Sequence, residues 1–266
     1  MTSTIEKQKT FIPIAIFLGA LLSSQVAIAS PYNFTITYTN LSNNVLTPAP
    51  FITHNGGFDL FTAGERASSE LEILAENGMT SGVETLVASG QANGTVLDST
   101  IAINGGPVLP GASVTFNILA DSEHNLLSFA SMLAFSNDSF IGWATGDGAV
   151  SLFSGETPLL NSYVISGDQV WDAGTELNSE LTAHVPALGG SGGVNDNVST
   201  IGLATFGITG VGDIPLDRSW LGDPSIASIT VSSAAPVPEP TTVLLFGTGL
   251  LGLAGFTKKS QKIQQG

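Results

Sequence analysis

The chain has no cysteine, which excludes disulfide staples, thiolate metal sites and a cysteine nucleophile together. Histidine is almost as scarce. His54, His124 and His184 fall in separate parts of the chain, none at metal-ligand spacing and none with an evident catalytic partner, so neither a zinc centre nor a Ser-His-Asp hydrolase is expected. His54, in FITHNGGFDLF beside Asp59, reads as a structural contact in a loop of turn residues. Positive charge is the third shortage. Five of the seven Lys and Arg residues (Lys7, Lys9, Lys258, Lys259 and Lys262) sit near the ends, and between Ser30 and Ala235 only Arg66 and Arg218 stand against 20 acids, a formal −18. Such a middle repels nucleic acid and anionic membrane surfaces and attracts cations. With only three tryptophans, no cluster of aromatic residues beside two carboxylates marks a sugar cleft. A secreted carboxylate-based hydrolase acting on polysaccharide is therefore the alternative reading, and a non-enzymatic protein the leading one.

What is present begins with two addressed ends. Residues 1–29 run from a weakly basic start through the apolar FIPIAIFLGALL to Ala27-Ile28-Ala29, the layout of a secretory signal peptide that signal peptidase removes. At the other end, Pro238-Glu239-Pro240 precedes an uncharged apolar run of 16 residues, Thr241 to Phe256, followed by Lys258 and Lys259. That run is a short candidate transmembrane helix whose lysines keep the tail cytoplasmic. The order of Pro-Glu-Pro, apolar helix and basic cluster over residues 236–266 resembles the PEP-CTERM sorting signal of exopolysaccharide- and biofilm-forming bacteria. The resemblance implies processing by an exosortase-type enzyme and a place in the cell envelope, at the cell surface or in the extracellular matrix. Gly247, Gly249 and Gly252 fit a dinucleotide fingerprint in spacing only, because no acidic residue follows.

Between the ends, residues 30–235 read as one mainly β domain. NFTITYTN places Phe34, Ile36 and Tyr38 on one face, SVTFNILA does the same with Val114, Phe116 and Ile118, and IASITVSS with Ala227, Ile229 and Val231. That period-2 alternation marks strands buried on one side. TVLDSTIAI, LLSFASMLAF, SYVISG and IGLATFGI are further strands between turn clusters, a spacing that predicts an antiparallel β-sandwich. ASSELEILAENG breaks the pattern: Leu71, Leu74 and Ala75 share a helical face, with a serine cap before and Gly78 after. It predicts a short helix, with a second over TSGVETLVASG, and places Glu70, Glu72 and Glu76 on the solvated side.

The stretch VWDAGTELNSE holds Asp172, Glu176 and Glu180 with no lysine or arginine among them. Asp172 and Glu176 lie four apart around Gly174, which lets the backbone fold so that both face one hard cation such as calcium, a taker of carboxylate, carbonyl and water oxygens. By spacing alone, a solvated acidic loop is the reading that calcium has to displace.

SMLAFSNDSFIG (Ser131 to Gly142) followed by VWDAGTE (Val170 to Glu176) resembles the paired motif of the spondin N-terminal domain, and GGFDLF, GERAS and LEILAENG resemble its N-terminal part. The resemblance implies a β-sandwich related to calcium-dependent C2 domains, in extracellular-matrix adhesion proteins. It also implies that Asp138, Asp172 and Glu176 bind Ca2+, with Glu in place of the family's Asp at the third position and Trp171 as a packing residue. The expected protein is an exported calcium-binding adhesion domain, with exopolysaccharide or other surface proteins as partners and no nucleic acid.

Overall fold

The computed structural model describes residues 30–102, 106–178, 181–192, 199–204 and 225–237. The leader, Glu180, Arg218, Pro238-Glu239-Pro240 and the apolar run after it lie outside the described residues, and among those described no helix is long and apolar enough to cross a membrane.

In chain order the elements are β1 (Tyr32–Asn40), β2 (Ala49–His54), α1 (Ser69–Asn77), α2 (Ser81–Ala92), β3 (Val96–Ala102), β4 (Ser113–Ala120), β5 (Leu126–Met132) and β6 (Ser139–Trp143). There follow β7 (Val150–Ser151), β8 (Phe153–Ser154), β9 (Thr157–Pro158), β10 (Ser162–Ile165), β11 (Val170–Asp172), β12 (Gly202–Leu203) and β13 (Ala227–Pro236). One sheet has the order β10-β13-β1-β4, the other β12-β11-β6-β5-β2-β3 with β7 also paired to β5, and β8 with β9 forms a small hairpin. All these pairings are antiparallel. The fold is the expected antiparallel sandwich with two short inserted helices.

The period-2 strands behave as their patterns dictate. Phe34, Ile36 and Tyr38 of β1 and Ile229 and Val231 of β13 are buried between the sheets against Phe51, Phe129 and Ile141. On the outer face of the same strands, Thr35, Thr37 and Thr39 hydrogen-bond Asn117, Thr115 and Ser113 of β4 at 2.8–3.0 Å, cross-strand pairs that fix the register.

Both helices pack on the outer face of the larger sheet. Ser68 caps α1 by accepting the Leu71 N–H at 3.3 Å, and Gly78 ends it in the left-handed conformation. Leu71, Leu74, Val83 and Val87 form a second core with Ile52, Ala130 and Phe140. The larger sheet is thereby covered on both faces. β2, β5 and β6 are buried almost throughout, as strands between two layers must be.

One expectation needs correction, and one strand was not foreseen. FITHNGGFDLF is not wholly a loop: its first four residues complete β2, a central strand between β5 and β3. SFIGW, read only as part of a motif, is strand β6. Neither segment alternates, because neither has a solvent face, so the period-2 signal was missing.

The sandwich is stitched along one lateral side, where the Asp98 carboxylate on β3 accepts the Leu119 N–H of β4 at 2.9 Å and Thr53 donates to the Leu119 carbonyl. At the other side β10 closes one sheet and β11 and β12 close the other.

Candidate metal centre

β6 and β11 pair antiparallel with Asp172 opposite Ser139. That register sets Asp138, the residue before β6, beside the end of β11. The turn leading to Asp138 is built by Ser136, whose hydroxyl donates to the Leu133 carbonyl at 2.7 Å and accepts the Ser139 N–H at 3.1 Å. The chain after Asp172 then folds back over Asp138. The Ala173 N–H donates to the Asp138 carbonyl at 3.2 Å, and the Thr175 and Glu176 N–H groups donate to Asp138 Oδ2 at 2.8 and 3.1 Å. Gly174 permits the reversal. Its φ is +68°, and a Cβ there would stand 2.9 Å from Ser199 Cβ and 3.0 Å from the Ser199 carbonyl carbon, so the position needs glycine for conformation and for space.

Asp172 Oδ1 accepts the Gly174 N–H at 2.8 Å and Oδ2 accepts the Asn178 amide at 2.7 Å. Its carboxylate is half-buried and oriented. Asp138 is fully buried, and its Oδ1, unlike Oδ2, has no hydrogen-bond partner. Burial and then the nearby Asp172 charge push the Asp138 carboxyl up to about 7, against the opposing pull of the Glu176 and Thr175 N–H groups. Glu176 is buried as well.

A fourth acid joins these three. Glu76, near the end of α1, is buried rather than solvated and takes a hydrogen bond from the Thr175 side chain. Burial first, then the charges of Glu176, Glu72 and Asp138, raise it to about 7. The expectation for Glu76 is thus corrected: Glu70 and Glu72 are only half-buried, while Glu76 lies one turn beyond Glu72 and turns inward. Its spacing from Leu71 and Leu74 does not reveal this, because the polar loop that covers it comes from Thr175, a hundred residues later.

The arrangement is an all-oxygen set of donors, which suits a hard divalent cation and not a soft metal. Among the described residues no three His, Asp or Glu side chains already converge to metal-holding distance. Asp138 nevertheless fits such an ion, since one oxygen is anchored by backbone donors while the other is buried without a donor and beside a second carboxylate.

The histidines are elsewhere. His54 is buried, with Nδ1 2.7 Å from the Asn55 carbonyl, to which it donates, and Nε2 2.7 Å from the Ser128 hydroxyl. Burial holds its pKa below the ordinary value. His124 faces Asp121 and the Gly94 carbonyl. Trp171 packs edge-on against Phe61, and its indole N–H donates to the Gly142 carbonyl at 3.2 Å.

A family model described as Spondin_N matches residues 31–186, more than half of the chain. The chain belongs to the Spondin_N family. A second model, the PEP-CTERM protein-sorting motif, matches residues 236–259, which include Pro238-Glu239-Pro240. Comparison with curated proteins returns no match. The two motifs together make this an exported, surface-directed Spondin_N protein sorted by an exosortase-type enzyme. Its sandwich extends past the matched region, because β13 pairs with both β1 and β10.

Proposed function

We propose that this Spondin_N protein is a non-enzymatic, calcium-binding adhesion domain of the bacterial surface that associates with exopolysaccharide or biofilm matrix. Asp138, Asp172 and Glu176 hold Ca2+, with Glu76 adding negative charge from α1. The observation that carries the reading is the Asp138 carboxylate, buried beside Asp172 with one oxygen fixed by two N–H groups and the other bare. A buried anion in that state is costly unless a cation compensates it.

When bound, the ion supplies positive charge and oxygen coordination and no reaction chemistry. Asp138 presents an oxygen held in place from behind, and the Gly174 turn carries Asp172 and Glu176 on the loop that closes over it. Drawing these acids onto one ion ties β6, β11 and the inserted α1 together and stiffens the end of the sandwich, where loops of this fold class bind partners.

Calorimetric titration of the metal-stripped protein with CaCl2 tests the reading. One saturable site is expected in the wild type and none in Asp138→Asn. Equal heats from the two proteins would sink it.

A further inference from the structure

At the lateral side of the sandwich not stitched by β3 and β4, a cleft of about 620 Å3 opens between β10 of one sheet and β6, β11 and β12 of the other. Its volume lies within the range of small-ligand sites, roughly 300–1,000 Å3. Trp143, Tyr163 and Trp171 line it, together with Asp147, Asp168 and Gln169. This is the combination of aromatic rings and carboxylates whose absence from any one stretch of the sequence argued against a sugar cleft. The three rings come from β6, β10 and β11, and only the pairing of β6 with β11 and the facing of the two sheets bring them together.

The rings are held before any ligand arrives. Trp143 is packed edge-to-face on Phe129 at 5.0 Å and on Tyr163 at 5.4 Å, and Trp171 is fixed by Phe61 and by its bond to the Gly142 carbonyl. Tyr163 and Trp171, both partly exposed, offer flat apolar surface at little cost in side-chain freedom, and the buried Trp143 backs them. Three of the polar side chains around them present acceptor oxygens to the cleft. Asp147 Oδ2 takes the Ala63 N–H at 2.8 Å, Asp168 takes the Ser166 hydroxyl, and the Gln169 amide oxygen takes the Ser166 N–H at 3.0 Å, so each acid is oriented and retains acceptor capacity.

The geometry points to a binding groove for a segment of neutral polysaccharide. Pyranose rings carry apolar C–H faces that suit the aromatic walls and rims of hydroxyl donors that suit Asp147 and Asp168. Among the described residues no Lys or Arg lines the cleft, and two carboxylates in a strongly acidic protein repel uronate, sulfate or phosphate groups. A purely apolar guest would strip water from two carboxylates without replacing it. The inference rests on the matrix-association part of the proposed function and is independent of its calcium part.

The test uses the full chain in a detergent without a sugar headgroup, probed with neutral gluco- and mannooligosaccharides, uronate oligomers and chitosan oligomers. Tryptophan fluorescence and saturation-transfer NMR are read in calcium and in EGTA. A neutral oligosaccharide is expected to bind in both conditions, with Tyr163→Ala weakening it by about tenfold or more, equivalent to ~1.4 kcal/mol. Asp168→Asn, an exposed substitution that leaves the packing intact, is expected to weaken it several-fold. Binding only of the uronate or amine probes, binding unchanged in both variants, or no neutral binding at all overturns the groove. If the wild type is retained in exopolysaccharide while the groove binds none of the neutral probes, the groove fails and matrix association stands on some other surface.

Discussion

Asp138 accepts the backbone N–H of Thr175 at 2.8 Å, joining the start of β6 to a loop 37 residues further on, and leaves its second oxygen buried without a donor. Asparagine at this position keeps a carbonyl oxygen for Thr175 and Glu176 while removing the buried charge next to Asp172. Two opposite effects are therefore expected from Asp138→Asn. Without calcium at pH 8 the variant should be more stable than the wild type, on the order of 2 kcal/mol or several degrees in Tm. With calcium in excess the order should reverse, since an ion at ~100 times its dissociation constant adds ~2.7 kcal/mol to the wild type alone. Calorimetric scans in both conditions check this, and a variant less stable than the wild type in EGTA would count against a cation site.

The pH dependence of the metal-free protein follows from the same groups. Asp138 and Glu76 are both raised to about 7, from ordinary values of 3.8 and 4.5. A carboxyl whose folded pKa is raised stabilises fully below its unfolded value and loses that contribution as pH rises through the folded one. The metal-free protein should therefore lose stability from about pH 4 up to about pH 8. His54, lowered by burial, acts in the opposite sense, because its contribution is lost as pH falls below 6.5, so the net slope reflects two carboxyls against one histidine. Calcium should flatten the carboxyl part by competing with the protons. Tm measured across this range in metal-free buffer, with Asp138→Asn showing a shallower decline, is the check. An unaltered slope in the variant would remove Asp138 from the account.

Glu76→Gln separates a site acid from a solvated helix face. Removing its charge should stabilise the metal-free protein by about 1 kcal/mol after solvent screening and weaken calcium several-fold. Glu72→Gln, one turn earlier and half-buried, should change both far less. Equal effects from the two substitutions would return Glu76 to the role of ordinary surface charge.

Gly174→Ala should be damaging on two counts, conformation and space. The residue is left-handed at φ +68°, and the added Cβ meets Ser199 at 2.9 Å. Conformation and contact together should cost about 2–3 kcal/mol and loosen the loop that carries Asp172 and Glu176. Thermal scans and a calcium titration read both losses, and a midpoint within a degree of the wild type would show that the turn relaxes without cost.

How much of this was legible beforehand depended on whether a strand meets solvent. β1, β4 and β13 alternate because one face is wet, and their core residues were readable one by one. β2 and β6 lie between the facing sheet and the helices, so their sequences carry no alternation to read. Asp172 and Glu176 were readable as a pair from their spacing around Gly174, and Asp138 joined them only through the paired resemblance. Glu76 and the aromatic cleft were not, because their partners come from distant segments and no local pattern encodes that juxtaposition.

The end of the fold and the start of the sorting motif coincide, and this sets a last expectation. The family match stops at residue 186, yet β13 fills the middle of its sheet between β1 and β10, burying Ala227, Ile229 and Val231, and the Val237 N–H still bonds the Pro31 carbonyl at 2.8 Å. The sorting motif begins at 236, the last residue of β13. A chain ended at 186 lacks that strand, leaves β1 with an unpaired edge and opens the inter-sheet core, which is more than a domain of ordinary stability tolerates. It should aggregate or show no cooperative transition. A chain of residues 30–237 should unfold in one step, because it keeps β13 and with it every strand of the described sandwich. A cooperative transition in the shorter chain would mean that β13 is an accessory to the sandwich and that residues 31–186 suffice.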